Sequence, residues 1–238
     1  MDALLAAAAL MAFLPTLLLM YSVLRKYTYP AVSQPFFSDP SFFFLFSIGL
    51  LAGTALLAVY TYLWLSLVYV MLFALVEVLA FTALFNLKRF RGGSDTVFYG
   101  YGFGLGVGCT FALGFIYFIA RTSLQIGVDV DIPGYVQLAI YGLVHILAFS
   151  AIGTTVAEGM ARHRVLEFAL QALLLNVALA LVLKASFLAS SATVMWLCAI
   201  AALAIAAGYF YRNVVRNLSR VVRDVLKADG KKRDDIPR

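Results

Sequence analysis

Two ionisable side chains stand deep in apolar stretches: Glu77 within FALVEVLAF and His145 within YGLVHILAFS. A carboxylate beside an imidazole can activate a water molecule, the histidine holding or passing the proton. The same pair can contribute to a metal site. A catalytic metal takes about three protein ligands, however, and Cys109 is the one further soft group at comparable depth. No metal and no cofactor is therefore expected. The structural alternative is a buried polar pair that fixes how helices pack. Ionisable groups inside such stretches are costly and face the protein interior, which makes Glu77 and His145 expected partners of each other. Gln171 and Asn176 bring further polar atoms, so Glu77, His145, Gln171 and Asn176 form the expected buried polar core. Glu158 and Glu167 flank MARHR, within reach of water or of Arg162 and Arg164.

The elements that must position these groups are set by composition. The chain of 238 residues is 63% hydrophobic and 13% charged, with mean hydropathy +0.94. Soluble domains run near 45–50% and about 25%. Seven charge-poor windows, 4–24, 41–62, 64–87, 96–120, 135–158, 165–184 and 192–211, each approach the ~20 residues that cross a bilayer as a helix. The expected fold is all-α, a seven-helix polytopic bundle over 1–211 followed by a basic tail over 212–238. With the N-terminus outside, sixteen of the 18 Lys and Arg residues lie on one side, leaving Arg121 and Lys184 on the other. That bias predicts N-terminus out and C-terminus in. A cleaved signal peptide over 1–22 is disfavoured, because its leading segment holds Asp2 and no basic residue.

The net charge of +6 does not point to nucleic acid, since half of the basic residues lie after Tyr211. Arg212, Arg216, Arg220, Arg223 and Lys227 recur at helical spacing beside Val214, Val215, Leu218, Val221, Val222 and Val225. This predicts an amphipathic continuation of the seventh helix, lying near anionic headgroups or snorkelling into them, as an ordinary anchor on the inner side more than as a specific lipid site. The sequon at Asn217 falls on the inner side and is expected to stay unmodified. Cys109 and Cys198 both fall within predicted helices and suggest no disulfide framework.

The fourth window carries YGYGFGLGVGCTFALG, five glycines in the nine residues 100–108. A phosphate-binding loop is excluded there, because irregular backbone exposed to hydrocarbon leaves its polar groups unsatisfied. Gly100, Gly104, Gly108 and Ala112 share one helix face; Gly102, Gly106, Thr110 and Gly114 make a second, about 200° round. Small residues at this spacing let membrane helices approach backbone to backbone. Two such stripes predict a sandwiched helix, packed on both faces within the bundle or with one face left for a partner.

The order of these features resembles the anterior-pharynx-defective (Aph) family, the seven-helix scaffold subunit of γ-secretase. Ala12, Phe13 and Pro15 match its motif in the first helix, and Glu77 followed by LKRFRGG matches its third. Gly100, Gly104 and Gly108 match its tandem glycine motif, and His145 its mid-helix histidine. Gln171 and Asn176 lie where that family has a second histidine. The resemblance implies a non-catalytic scaffold whose fourth helix and polar core pack against a polytopic partner, a presenilin-like aspartyl intramembrane protease. A second resemblance is to glutamate-dependent intramembrane proteases of the PrsW and CAAX-processing type, whose helix entry is matched by Asp95, Tyr99, Gly100 and Gly104. Val76-Glu77 stands where those enzymes carry paired glutamates, so that reading leaves Glu77 and His145 as the catalytic candidates. A transporter or channel is disfavoured, since Glu77 and His145 are the sole ionisable groups for a polar path. The location implied is an integral membrane one, the cell membrane or an endomembrane.

Overall fold

The computed structural model describes residues 3–63, 66–127, 130–228, 230, 233 and 235–237. Among them are seven helices long and apolar enough to cross a membrane: α1 (Ala3–Leu24), α2 (Asp39–Leu63), α3 (Leu67–Phe85), α4 (Thr96–Gln125), α5 (Ile132–Ala161), α6 (Val165–Leu188) and α7 (Ala192–Phe210). A π-helical turn, Tyr211–Arg216, leads to a short eighth helix, α8 (Leu218–Ala228). Among the described residues all regular structure is helical, which follows from the sequence, since a helix satisfies the backbone groups of an apolar segment within that segment.

Local signals set the ends. The Asp131 carboxylate accepts from the Gly134 amide at 2.8 Å, with Pro133 in the first turn of α5, a side-chain cap followed by a residue that needs no donor there. α5 stops where His163 turns left-handed, at φ 57°, and the Arg164 amide donates back to the Gly159 carbonyl at 2.8 Å.

α4 and α5 are the centre: 67% and 72% of their apolar windows are buried, against 17–33% for the other five. The glycine stripes explain why. On the first, a side-chain carbon at Gly100 would meet Gly153 and Ala157, at Gly104 Phe149 and Ser150, and at Gly108 His145 and Ile146. These pairs fall in number along α5 as they rise along α4, so the two helices run antiparallel. On the second stripe, Gly102 lies against Phe42, Gly106 against Phe46 and Gly49, and Gly114 against Leu57. Both sets of numbers rise together, so α2 runs parallel to α4. The Thr110 hydroxyl, on the same stripe, reaches across to the Leu50 carbonyl at 3.0 Å. Each face of α4 is therefore taken within the chain. The expectation that α4 packs against a partner is corrected: close approach to α5 and α2 leaves neither stripe free.

The apolar side of the tail is likewise taken within the chain. Leu218, Val221, Val222, Val225 and Leu226 are buried, packed in the common apolar core with Tyr27, Val32 and Phe36 of the segment joining α1 to α2. The apolar stripe of α8 is spent on protein and not on headgroups. Polar contacts reinforce the docking. Tyr27 Oη and Ser219 Oγ lie 2.7 Å apart, and Arg162 pairs with Asp224 at 3.0 Å. Arg233 donates to the Gln34 carbonyl at 2.6 Å while its guanidinium lies 3.8 Å from the Phe36 ring centre. Asp235 accepts from the Ser33 hydroxyl at 3.1 Å, and the Arg233 hydrogen bonds hold its carboxyl well below the usual carboxylate range. Burial raises the Tyr27 phenol, opposed by Ser219. Arg216, Arg220, Arg223 and Lys227 stay exposed.

Candidate functional site

Glu77 and His145 line one cavity. It offers about 40 Å³ to a water-sized sphere, enclosed by Tyr60 of α2, Phe73, Ala74 and Glu77 of α3, Phe111 of α4, His145 and Phe149 of α5, and Asn176 and Leu179 of α6. A volume of ~10–15 Å³ suffices for one water, so the space takes two or three. The walls are predominantly apolar, and aromatic rings pack around the two polar groups. Phe111 stacks on the His145 ring at 4.9 Å between centroids, and Tyr60 packs on Phe73 at 5.5 Å and on Phe111 at 5.3 Å.

The polar partners differ from those expected. Asn176 Nδ2 donates to Glu77 Oε2 at 2.7 Å and to the Ala74 carbonyl at 3.1 Å, tying α6 to α3. His145 Nδ1 lies 2.7 Å from the carbonyl of Tyr141, one turn back on α5. A carbonyl only accepts, so Nδ1 carries the proton and Nε2 of the neutral ring is the acceptor. Among the described residues Glu77 and His145 share no hydrogen bond or ion pair, which corrects the expected direct pairing: the amide intervenes as the carboxylate's partner. Gln171 is exposed while Asn176 is buried. Five residues at 100° each turn a side chain well round the helix, so Gln171 leaves the expected polar core and Asn176 remains.

Cys109 is buried, but it does not line the cavity. Among the described residues no group of three or more His, Cys, Asp or Glu side chains is placed to hold a metal ion. Asp95, Tyr99, Gly100 and Gly104 are also not on the cavity wall. Tyr99 Oη instead accepts from the Ser38 amide at 3.2 Å, and Gly100 and Gly104 serve the α4–α5 contact.

Two further polar clusters stitch the helix ends. Towards one end, Gln137 donates to Tyr141 Oη at 2.8 Å, Tyr141 Oη meets Ser186 Oγ at 2.5 Å, and Ser186 donates to the Met195 carbonyl at 2.9 Å, joining α5, α6 and α7. At the other, Arg162 pairs with Glu158 at 2.9 Å and Arg164 with Glu167 at 2.5 Å, in keeping with the reach expected from MARHR. Thr155 Oγ1 meets Tyr209 Oη at 3.1 Å and accepts from Asn213 at 3.2 Å. Sequence reasoning missed Tyr60. A phenol in an apolar helix gives no periodic signal, and its place on the cavity follows from how α2 is rotated against α4.

No protein-family model, curated protein or solved structure matches the chain.

Proposed function

We propose that this chain is a non-catalytic membrane scaffold that packs with and stabilises a polytopic partner. By the Aph-like order of its motifs, that partner is a presenilin-like aspartyl intramembrane protease. The observation that carries the reading is the Asn176–Glu77 bond: the buried carboxylate is engaged in joining two helices. The hydrogen bond that it accepts is then structural. With both glycine stripes used internally, the partner meets the apolar outer surfaces of the peripheral helices. Leu10, Leu14 and Leu18 on α1, or Leu72 and Leu79 on α3, supply exposed apolar area for it. The N-terminus is outside and the basic end inside, following the Lys and Arg bias. Cysteine labelling from either side is expected to place position 2 outside and position 238 inside; the reverse result removes the orientation and weakens the family likeness with it.

A second reading, an intramembrane hydrolase using Glu77 and His145, is favoured by one observation: both residues line a cavity of water size. Glu77→Gln separates the two. The amide keeps the shape and can still bond Asn176, so a scaffold retains partner association within about twofold, whereas a glutamate-dependent hydrolase loses activity by ~10²-fold or more. Purified protein, with and without added zinc, is incubated with a panel of transmembrane peptides, and co-purification from mild detergent is measured in parallel. Cleavage by the wild type that disappears in Glu77→Gln overturns the scaffold reading.

A further inference from the structure

We propose that the cavity between α2, α3, α5 and α6 is a binding site for a small hard cation of sodium type, with one or two of its hydration waters. The polar atoms on its wall carry this assignment. Glu77 uses Oε2 for Asn176, and among the described residues Oε1 has no hydrogen-bond partner. Asn176 spends its amide nitrogen on two acceptors, which leaves Oδ1 as a free acceptor. His145 donates through Nδ1, so Nε2 of the neutral ring is an acceptor as well. Tyr60 Oη makes no hydrogen bond to a described residue either. None of these four atoms is sealed against solvent-sized access in the way the Tyr101 hydroxyl is.

With Glu77 ionised, the wall presents acceptors from four helices and, the adaptable phenol aside, no unspent donor. Its complement must bring positive charge or donated protons. Among the described residues no Lys or Arg lines the cavity, so the carboxylate has no basic counter-charge from them, and an uncompensated carboxylate in apolar surroundings is strongly disfavoured. The size of about 40 Å³ excludes an organic amine of more than a few atoms and admits a bare cation with water. Three of the four atoms are oxygens, the donors that hard cations choose. Glu77 Oε1, Asn176 Oδ1 and Tyr60 Oη are the direct ligands, and His145 Nε2 accepts from a cation-bound water. A single carboxylate and an imidazole are fewer than the three or four Cys, His or carboxylate ligands that zinc takes. This assignment concerns binding alone and holds whether the chain is a scaffold or a hydrolase.

The test uses the full-length protein in detergent or nanodiscs at constant ionic strength, with N-methyl-D-glucamine chloride replaced stepwise by sodium chloride. The wild type is expected to gain thermal stability in a saturable way, potassium acting more weakly. Glu77→Gln is expected to lose the response. Tyr60→Phe, which keeps the ring packing and removes one oxygen, is expected to move the sodium midpoint up by about tenfold. This variant serves where Glu77→Gln does not fold. Three results overturn the proposal: a wild-type midpoint indifferent to sodium across pH 6–9; a sodium response unchanged in both variants; or a response to micromolar zinc with none to sodium. The first would mean that a proton alone neutralises the carboxyl group.

Discussion

Gly104→Leu is expected to prevent assembly of the native bundle. A first side-chain carbon at this position already falls 2.8 Å from Ser150 Cα and within overlap of the Phe149 carbonyl, both backbone atoms of α5. Neither can rotate away as a side-chain end can, so the two central helices must separate along their length. Overpacking of a fitted core costs ~1–3 kcal/mol and occasionally more, and contact with backbone places this variant at or above the upper end. Gly106→Leu is expected to act equally through the Phe46 carbonyl and the amide of Leu50 on α2. Gly208→Leu is the control, because no atom of the described residues lies within 4 Å of a carbon added there. Thermal unfolding in detergent, read by size-exclusion fluorescence, should show the first two lost and the third near wild type. Near-normal midpoints for Gly104→Leu and Gly106→Leu would mean that the helices do not meet as described.

The second large effect is expected from Val222→Asp. Val222 is fully buried in the interface between α8 and the rest of the chain. A carboxylate there has no cationic partner on its own face of the helix, and stranding a charge in a packed interior costs several kcal/mol, ~3–5 where a buried ion lacks its mate. The short helix is expected to undock while the seven-helix bundle stays folded. Cysteines replacing Tyr27 and Ser219, whose hydroxyls lie 2.7 Å apart, are joined by a bifunctional maleimide long enough to make up the length lost with the Tyr27 ring, and report this in a background lacking Cys109 and Cys198. Cross-linking should be rapid with Val222 and fall by about tenfold or more with Asp. Equal cross-linking in both would show that the stripe does not hold the tail.

Much of this architecture was legible in the residues, and the parts that were not share a cause. Charge-poor windows locate all seven long helices, but α4 and α5 extend beyond them, to Gln125 and from Ile132 to Ala161. Arg121 and Glu158 do not end a helix near an interface, where a long or paired side chain finds water or a partner. Arg121, for instance, lies over the Tyr117 ring at 5.6 Å. The glycine spacing identified a helix sandwiched on two faces. Which helices fill the sandwich depends on rotations that a period does not encode. The same limit governs the polar core: Glu77, His145 and Asn176 share a cavity, whereas the choice of Asn176 over His145 as the carboxylate's partner is a matter of ångströms between helices. The alternation of Arg and Val after Tyr211 declared an amphipathic helix. Lipid and protein are equally apolar destinations for its valines, so the pattern could not choose between them.

The two-sided wrapping of α4 has a consequence for synthesis. Its backbone, bared by glycine, finds α2 already made when it leaves the ribosome, but α5 is still to come. With mean hydropathies of 1.9 and 1.8, α4 and α5 are the two least apolar of the seven spans, and each is solvated chiefly by protein in the finished molecule. α4 enters the bilayer half-dressed, leaning on α2, and reaches its lowest energy only when the next span closes the other side. One of the two most buried helices of the molecule thus has its surroundings completed late, and the interval between the fourth and fifth spans is when the nascent chain most needs shelter.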